Sequence, residues 1–194
     1  VLPVPRRTEP SRSTSEHQIV ETAVLAGGCF WGVEHLIREM DGVLATDVGY
    51  TGGSTKNPGY RDITTGATGH AEAVRIEFDP RVISYEEILE YFFRLHDPTT
   101  RNRQGNDIGT QYRSAVYVFD EEQRQRAEQS LRAYQAVLGS HGYGAITTEI
   151  RDAGPFFFAE DYHQQYLAKN PDGYCGLGGT GLSCPVGLAE APRA

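Results

Sequence analysis

The sequence contains few cysteines. Three occur in 194 residues, at positions 29, 175 and 184. An odd and widely spaced set does not match the disulfide framework of a small secreted protein. The chain also lacks a C-x-x-C pair and a Cys/His pair at zinc-finger spacing, so we expect no bound metal. The cysteines are therefore predicted to be free thiols that take part in chemistry.

Basic residues are scarce as well. Lys and Arg number 18 against 26 Asp and Glu, which gives a formal net charge of −8. A protein that binds a phosphate backbone usually carries a basic stripe, so we expect no nucleic-acid partner. No apolar run approaches the ~18 residues that a membrane-spanning helix needs, and we expect no membrane partner.

Composition divides the chain into three parts. Residues 1–20 are rich in Pro, Ser and Arg and lack periodicity, which is typical of a flexible arm. This arm holds no apolar segment long enough for a secretory signal, and we expect a cytoplasmic protein. Residues 21–169 form the predicted folded domain, which is long enough to bury a core. Residues 170–194 form a Gly/Pro-rich tail, predicted to be coil.

Hydrophobic periodicity and turn residues predict the order of helices and strands. The predicted elements are strand 21–26, helix 31–40, strand 43–50, strand 71–78, helix 84–96, strand 112–119, helix 121–138, strand 145–150 and helix 160–168. The first six follow the β-α-β-β-α-β order of ferredoxin-like sheets. We therefore predict an α+β two-layer sandwich with a mixed or antiparallel sheet and long Gly-rich loops at 51–70 and 97–110.

The first cysteine, Cys29, lies between a predicted strand and a predicted helix. Gly27 and Gly28 permit a tight turn before it. The N-terminus of a helix favours an anion and lowers the pKa of a cysteine, so Cys29 is a candidate nucleophile. The alternative is a small buried cysteine that fills the junction.

Two large aromatic residues, Phe30 and Trp31, follow the cysteine. They cannot both point in the direction of Cys29 on a helix, because consecutive side chains diverge by about 100°. We expect one of them to belong to the core and at least one to border the thiol. An aromatic wall beside a nucleophile indicates a substrate with a small apolar group.

Glu72 is placed unusually for a carboxylate. In the alternation of strand 71–78 it falls on the same face as Val74, Ile76 and Phe78. Burial of a bare charge is costly, so this carboxyl is either paired or protonated. A carboxyl that is protonated at neutral pH can donate a proton to a substrate.

Further polar residues lie in the two long loops or at their ends. They include Tyr60, Asp107 and Tyr112. Functional residues concentrate in such loops, although surface packing is the usual role of a tyrosine.

The Gly-rich tail contains GLGGTG at 176–181, which matches a dinucleotide-binding fingerprint. That fingerprint must follow a strand and open a helix, and neither is predicted here. The glycines instead let Cys175 and Cys184 approach each other and reach a third sulfur. The alternative is that both cysteines are idle.

Six short motifs together resemble the A-type peptide methionine sulfoxide reductases. They are GCFWG at 28–32, GHAE at 69–72, QGND and TQYRSA within 104–115, EDYHQQYL at 160–167 and GYCG at 173–176. The resemblance covers about residues 23–185. It implies an enzyme that reduces the S epimer of methionine sulfoxide, free or in proteins, without a metal or organic cofactor. Thioredoxin, or dithiothreitol in the test tube, would recycle the enzyme, which we expect to be a monomer.

The resemblance also implies a role for each matching residue. Cys29 would be the nucleophile, and Phe30 and Trp31 would line the pocket for the substrate methyl group. Glu72 would protonate the sulfoxide oxygen. Cys175 would be the resolving cysteine, which forms a disulfide with the oxidised Cys29. The phenols of Tyr60 and Tyr112 would help to donate the proton. Asp107 would position the substrate, and Cys184 would be the second recycling cysteine.

Three other functions remain open from the sequence. A thiol peroxidase also passes through a sulfenic acid and a resolving cysteine, but it does not need a methyl pocket. A cysteine hydrolase would use a histidine base, for which His70 is the candidate. A redox-sensing binding domain would form a disulfide without turnover.

Overall fold

The computed structural model describes residues 19–174 and residue 179, and the predicted arm and most of the tail lie outside this part. The strands are β1 Glu21–Gly27, β2 Val43–Thr51, β3 Ala71–Phe78, β4 Arg103–Gln104, β5 Asp107–Ile108, β6 Ser114–Val118, β7 Glu149–Asp152 and β8 Phe157–Phe158. The α-helices are α1 Phe30–Arg38, α2 Tyr60–Thr64, α3 Tyr85–Leu95, α4 Glu121–Ser140 and α5 Tyr166–Lys169. Short 3₁₀ turns occur at Thr110–Tyr112 and Asp161–His163.

A six-stranded sheet organises the domain, with strand order β7-β6-β1-β3-β2-β8. Strand β1 is central, so that Leu25 is opposite Val74 of β3 and Val116 of β6. Neighbouring strands are antiparallel except β6 and β7, which are parallel. The predicted combination of helices with a mixed sheet is therefore confirmed.

One face of the sheet carries the main core. Leu25 and Val74 belong to a buried cluster that also contains Ile37 of α1, Phe92 of α3 and Leu138 of α4. Burial of each such side chain stabilises the fold by roughly 1.5–3 kcal/mol. These three helices therefore cover the same face of the sheet.

The opposite face is covered by coil instead of helix. Its buried residues include Val24, Ala73 and Tyr117, and the partly buried Ala153 and Phe156 pack against them. The chain between β7 and β8 thus closes this face.

The predicted helix start at Ser84 is confirmed. The Ser84 hydroxyl accepts a hydrogen bond from the backbone N–H of Glu87 at 3.1 Å, which is the expected N-cap interaction. Asp120 caps α4 in the same way, with its carboxylate accepting from Gln123 N–H at 2.8 Å.

The structure differs from the sequence prediction within the two long loops. The first loop contains helix α2, because the Gly59 N–H donates to the Asp62 carboxylate at 2.8 Å and this bond closes the first turn. The second loop contains the two-stranded hairpin of β4 and β5. Both predicted long loops therefore contain regular structure in these segments.

The last predicted strand and helix also differ. The strand predicted at 145–150 is found at 149–152, because Thr147 bonds instead to the carbonyl oxygen of Pro98 at 2.8 Å. The helix predicted at 160–168 is interrupted, since the Gln164 amide pairs with both backbone groups of Val48 at 2.9 Å. In both segments, hydrogen bonds to distant parts of the chain thus replace local ones.

Within the described residues, no helix is long and apolar enough to cross a membrane.

Candidate active site

The predicted site residues that the structure describes lie together at one end of the sheet. Antiparallel pairing places the end of β1 beside the start of β6, with Gly27 opposite Ser114. The same pairing places the end of β2 beside the start of β3, with Thr51 opposite Ala71. The loops that follow β1 and β2 and precede β3 and β6, which carry the polar side chains, therefore lie together at this end of the sheet.

Cys29 is the N-cap residue of α1. Gly28 precedes it with φ 102°, a conformation that glycine adopts without steric cost. This turn directs the chain from β1 into the helix and places a free thiol at its start, with a relative exposure of 7%. The predicted junction of strand, cysteine and helix is confirmed.

Cys29 does not have the lowered pKa that its position at a helix N-terminus predicts. Burial, followed by the negative charge of Glu72, raises the pKa of the Cys29 thiol to about 12. The backbone amides of Trp31 and Gly32 act in the opposite direction but are outweighed. In the free protein Cys29 is therefore a protonated thiol at neutral pH.

Glu72 faces the core side of β3 and is 2% exposed. Its Oε1 atom accepts a hydrogen bond from the backbone N–H of Phe30 at 3.3 Å. Burial raises the pKa of Glu72 to about 8, against the opposing effect of the Phe30 bond and with a further contribution from Asp107. The predicted placement of Glu72 on the buried face of β3 is confirmed, and of the two predicted alternatives the raised pKa favours the protonated carboxyl at neutral pH.

Two phenols lie near this carboxyl. Tyr60 begins α2, and Tyr112 ends the 3₁₀ turn before β6. Burial raises the pKa of both hydroxyls, and the next largest cause for each is the charge of Glu72. Cys29 also contributes to the pKa of each phenol, so the thiol, the carboxyl and the two phenols share one electrostatic environment.

Asp107 lies in β5, at the border of this group. Burial raises the pKa of its carboxyl, while a hydrogen bond from Tyr174 opposes the increase. The Tyr174 hydroxyl donates to Asp107 Oδ2 at 3.3 Å. The residue next to Cys175 is thereby attached to the site, although Cys175 and Cys184 themselves lie outside the described residues.

The two aromatic residues after Cys29 have different environments. Phe30 is buried in the core, with its ring centroid 5.8 Å from that of Tyr50. Trp31 is half-buried and stacks on Tyr166 at a centroid distance of 3.9 Å. The sequence expectation of one core residue matches this arrangement.

Sequence reasoning did not assign roles to several residues in the segment 160–167. The carboxylate of Glu160 accepts hydrogen bonds from the Tyr50 hydroxyl and the Tyr60 backbone N–H, both at 2.9 Å. His163 Nδ1 accepts from the Trp31 indole N–H at 3.0 Å. The available signal was the density of polar and aromatic residues in EDYHQQYL, which the predicted helix did not explain.

His70 is excluded as the base of a cysteine hydrolase. Its Nδ1 atom accepts from the Gly53 N–H at 3.0 Å, and its Nε2 atom pairs with the Thr55 carbonyl oxygen at 2.6 Å. Both ring nitrogens thus hold the loop after β2, and neither is free to take a proton from Cys29. Across the described residues, no group of His, Cys, Asp and Glu side chains could hold a metal ion.

The site can combine a thiol with several proton donors. A protonated carboxyl and two phenols near a sulfur nucleophile suit a reaction in which an oxygen atom must be protonated as it leaves.

Solved structures of known proteins are similar to this fold. Methionine sulfoxide reductase A of Corynebacterium diphtheriae superposes with a TM-score of 0.78 at 44% identity, covering 89% of this chain and 85% of that chain. Mxr1 from Saccharomyces cerevisiae in complex with Trx2 superposes with a TM-score of 0.51 at 25% identity, covering 78% and 87%.

Curated relatives agree with these structures. Peptide methionine sulfoxide reductase MsrA 1 of Caulobacter vibrioides is 58% identical over 169 residues, which is 87% of this chain and 78% of the relative. The mitochondrial peptide methionine sulfoxide reductase of Mus musculus is 50% identical over 199 residues, covering 96% and 85%. The family model described as peptide methionine sulfoxide reductase matches residues 21–180. The chain therefore belongs to the peptide methionine sulfoxide reductase family.

Proposed function

We propose that this protein reduces the S epimer of methionine sulfoxide, free or in proteins, to methionine, and thereby repairs oxidised proteins. Family membership supports the reaction class. The single structural observation that supports it best is the buried, protonated Glu72, whose carboxyl is bonded to the backbone of Phe30 next to Cys29.

Cys29 is the nucleophile in the proposed reaction. Its sulfur attacks the sulfoxide sulfur, and the oxygen atom passes to Cys29, which becomes a sulfenic acid while the substrate becomes the sulfide. The thiol proton is retained overall on the sulfenic acid, so a thiol and a sulfoxide yield a sulfenic acid and a thioether. The enzyme sulfur is oxidised by two electrons and the substrate sulfur is reduced by two.

Glu72 supplies the proton that the sulfoxide oxygen needs. This oxygen is a poor leaving group unless it is protonated, and general acid catalysis contributes roughly 10²–10⁴-fold. Tyr60 and Tyr112 act as additional donors, because phenols whose pKa values are raised stay protonated at neutral pH. After Glu72 has given its proton to the sulfoxide oxygen, its carboxylate can accept the proton of the Cys29 thiol. The protonation states of the two groups are therefore coupled during the step.

Substrate selectivity is assigned to Phe30, Trp31 and Asp107. The rings of Phe30 and Trp31 accept the small methyl group, while Asp107 positions the polar part of the substrate. The half-buried state of Trp31 and the attachment of Asp107 to Tyr174 are compatible with these roles.

The proposed recycling uses the two tail cysteines. Cys175 attacks the sulfenic acid of Cys29, forming a disulfide and releasing water. Cys184 then exchanges with this disulfide, and thioredoxin reduces the Cys175–Cys184 disulfide. The solved complex of Mxr1 with Trx2 supports this type of reductant, and the cycle requires no metal and no organic cofactor.

The finer description of the molecule belongs to the same proposal. The strand order β6-β1-β3-β2 supports a ferredoxin-like core. We assign 21–169 as the catalytic domain, between an arm at 1–20 and a tail at 170–194 that carries the recycling cysteines. A monomeric protein in a reducing compartment such as the cytoplasm is consistent with a free thiol at Cys29.

The test is steady-state turnover of each epimer of a methionine sulfoxide peptide with dithiothreitol as the reductant. Wild type should consume the S epimer and not the R epimer, and Cys29→Ser should be inactive. Faster turnover of hydrogen peroxide than of the S epimer would instead indicate a thiol peroxidase. A disulfide that forms without turnover of either substrate would indicate a redox-sensing domain.

A further inference from the structure

A cavity of about 540 Å³ lies beside the loops of the candidate active site. The charged side chains that line it are those of Arg101, Arg113, Arg151 and Glu149, and we call it the basic cavity. Three positive charges against one negative charge give it a formal charge of +2, whereas the whole chain carries −8. A concave surface lined by one sign of charge attracts ligands of the opposite sign. The basic cavity is therefore suited to an anionic ligand.

Arg113 connects the basic cavity to the segments that carry the proposed proton donors. Its side chain is only 11% exposed, and its guanidinium donates to the carbonyl oxygens of Gly69 at 2.8 Å and Thr110 at 2.9 Å. Gly69 lies three residues before Glu72. Thr110 begins the 3₁₀ turn that ends at Tyr112. The same short segments therefore border the basic cavity and carry two of the donors.

The basic cavity lies on the face of the sheet opposite to Glu72. In the pairing of β6 with β7, Glu149 is opposite Ala115 and Arg151 is opposite Tyr117. Paired residues of neighbouring strands point to the same face, and Ala115 and Tyr117 belong to the cluster on the second face. Glu72 is on the core face. The cavity and the donors are thus on two sides of one end of the sheet.

Glu149 does not neutralise the arginines around it. Its Oε2 atom lies 3.5 Å from Arg113 Nε and 3.8 Å from Arg151 Nη1, so one carboxylate is shared between two guanidinium groups. The side chains of Glu149 and Arg151 are 44% and 53% exposed, and water weakens ion pairs at such positions. Positive charge therefore remains available to a ligand.

Arg101 is the most available donor of the basic cavity. It is exposed, and within the part of the chain that the structure describes its side chain has no ion-pair or hydrogen-bond partner. A guanidinium binds a carboxylate through two parallel N–H groups. Because Arg101 and Arg151 are both exposed, a carboxylate can bind them while it stays partly hydrated, which avoids the cost of burying a charge.

A peptide substrate can reach the basic cavity and the proposed nucleophile together. An extended chain advances about 3.3–3.6 Å per residue, so five residues span roughly 17 Å around the end of the sheet. Free methionine sulfoxide is a single residue and lacks this reach. Since the segments that border the cavity also carry donors that act on the substrate, the position favours a substrate side chain over a side chain of the reductant.

We propose that the basic cavity is an accessory substrate subsite, in which Arg101 binds an Asp or Glu side chain of the peptide that presents methionine sulfoxide to Cys29. This inference rests on the proposed function and adds a sequence preference to it. Methionine sulfoxide with an acidic residue at a suitable distance is reduced at lower substrate concentration than the same residue in a neutral peptide. The subsite affects binding and does not take part in oxygen transfer.

The test compares pairs of peptides that differ by one charge. Each peptide contains one S epimer of methionine sulfoxide and either Asp or Asn at one position, which is moved up to about five residues to either side. At the favoured position, wild type with dithiothreitol should show a KM for the Asp peptide roughly twofold to fivefold lower than for the Asn peptide, the scale of an exposed ion pair. The kcat values should agree, and high salt should remove the difference.

Arg101→Gln should raise the KM of the Asp peptide to that of the Asn peptide and leave the KM of free methionine sulfoxide unchanged. Arg101→Glu should reverse the preference, so that a Lys peptide binds better than the Asn peptide. Arg132→Gln is the matched control, because it removes the same charge from α4. Arg151→Gln provides a second variant and should weaken the preference in part, since Arg151 shares Glu149 with Arg113.

Equal KM values for the Asp and Asn peptides at every position in wild type would overturn the subsite, while turnover of free methionine sulfoxide would leave the proposed function intact. A loss of preference in Arg132→Gln as large as that in Arg101→Gln would overturn it too, because net charge would then be responsible. So would an Arg101→Gln variant whose KM rises for thioredoxin and not for the Asp peptide, since the cavity would then bind the reductant. If wild type reduced no sulfoxide at all, the proposed function and the subsite would both be refuted.

Discussion

The first backbone N–H of helix α1, that of Phe30, is bonded to Glu72 and not to a side chain of its own N-cap. Cys29 occupies the N-cap position without capping the helix, and the Glu72 carboxyl is supplied from 42 residues away at 3.3 Å. The Glu72 carboxyl is thus fixed at the first turn of α1, where its charge helps to raise the pKa of the Cys29 thiol. Burial, followed by the charge of Glu72, explains why Cys29 rests as a thiol although it lies at a helix N-terminus.

Glu72→Gln should reduce the rate of methionine release by roughly 10²–10⁴-fold at pH 7, the usual contribution of a general acid. The fold should persist, because glutamine retains an oxygen that accepts from the Phe30 N–H. Single-turnover release of methionine, with circular dichroism for the fold, measures both. Glu77→Gln is the control on the same strand, since Glu77 lies on the opposite side of β3 and pairs with Arg75. Near-wild-type release in Glu72→Gln would remove this carboxyl from the mechanism.

The rate of methionine release should fall as the pH rises above about 8. The proposed reaction requires a protonated Glu72, and burial raises the pKa of this group to about 8. The protonated fraction therefore decreases tenfold per pH unit above that value. Single-turnover rates between pH 6 and 10 would show the decrease. A rate that keeps increasing through this range would contradict a neutral carboxyl as the donor.

The same substitution should have the opposite effect on the simple reactivity of Cys29. The charge of Glu72 contributes to the raised pKa of the thiol, so Glu72→Gln should lower that pKa. Alkylation of Cys29 by iodoacetamide at pH 9 should therefore be faster in Glu72→Gln than in wild type, as measured by mass spectrometry of the digested protein. Equal alkylation rates would show that burial alone controls the thiol.

Trp31→Ala and Phe30→Ala should separate binding from packing. Phe30 is buried in the core, and its truncation should cost roughly 3–5 kcal/mol of unfolding free energy. Trp31 is half-buried, so its truncation should cost less stability but should raise KM more. Denaturant unfolding and steady-state kinetics on both variants measure the two effects. A larger stability loss for Trp31→Ala, with KM unchanged, would make Trp31 a packing residue.

Tyr174→Phe should slow the recycling step and not the oxygen transfer. The Tyr174 hydroxyl bonds to Asp107 and attaches the residue beside Cys175 to the site. Loss of one hydrogen bond should slow formation of the Cys29–Cys175 disulfide by roughly threefold to tenfold, while one methionine per enzyme is still released at the wild-type rate. Trapping of the sulfenic acid with dimedone over time measures its lifetime, with Tyr143→Phe as the control. An unchanged lifetime would exclude this attachment as a determinant of the step.

Stability should decrease at acidic pH because of His96. Burial lowers the pKa of His96 from 6.5 to about 4, and its nitrogens pair with the Phe92 carbonyl at 2.6 Å and the Ser114 hydroxyl at 2.8 Å. The unfolded chain binds a proton below pH 6.5 that the folded chain does not bind until about pH 4. The unfolding free energy should therefore fall by about 3 kcal/mol across this window as the pH decreases.

Urea unfolding of wild type at pH 4, 5, 6 and 7 would measure this contribution. His96→Gln, which cannot gain a charge, should show a smaller decrease, whereas His141→Gln should follow wild type. If wild type and His96→Gln showed the same pH dependence, His96 would not be the group responsible.

The sequence predicted those features that depend on neighbouring residues. The alternation of β3 placed Glu72 on the core face, and the burial of that face then implied a carboxyl that is either paired or protonated. The N-cap at Ser84 was recognisable from the spacing to Glu87. In both cases local geometry decides the outcome, because strand and helix periods are fixed by the backbone.

The features that the sequence did not predict depend on contacts across the fold. The roles of Glu160 and His163 arise from partners 100 and 132 residues away, and no local pattern encodes such pairs. The direction of the Cys29 pKa shift was not predicted for a related reason. The position of Cys29 at the helix N-terminus was predicted correctly, but burial and the charge of Glu72 outweigh the effect of the helix on its pKa. Gln164 and Gln165 interrupted a predicted helix by bonding to Val48 and Glu34.

The long separation in sequence between Trp31 and its partner His163 has a consequence for folding. Cys29 and Trp31 belong to an early segment, whereas His163 and the Gln165 backbone that bonds to Glu34 at 2.6 Å belong to a late one. Contacts this distant in sequence form slowly, and a growing chain presents its N-terminal part first. During synthesis Cys29 is therefore present before the late residues that contact Trp31 and Glu34. A chain that ended before residue 160 would contain the thiol but lack these contacts.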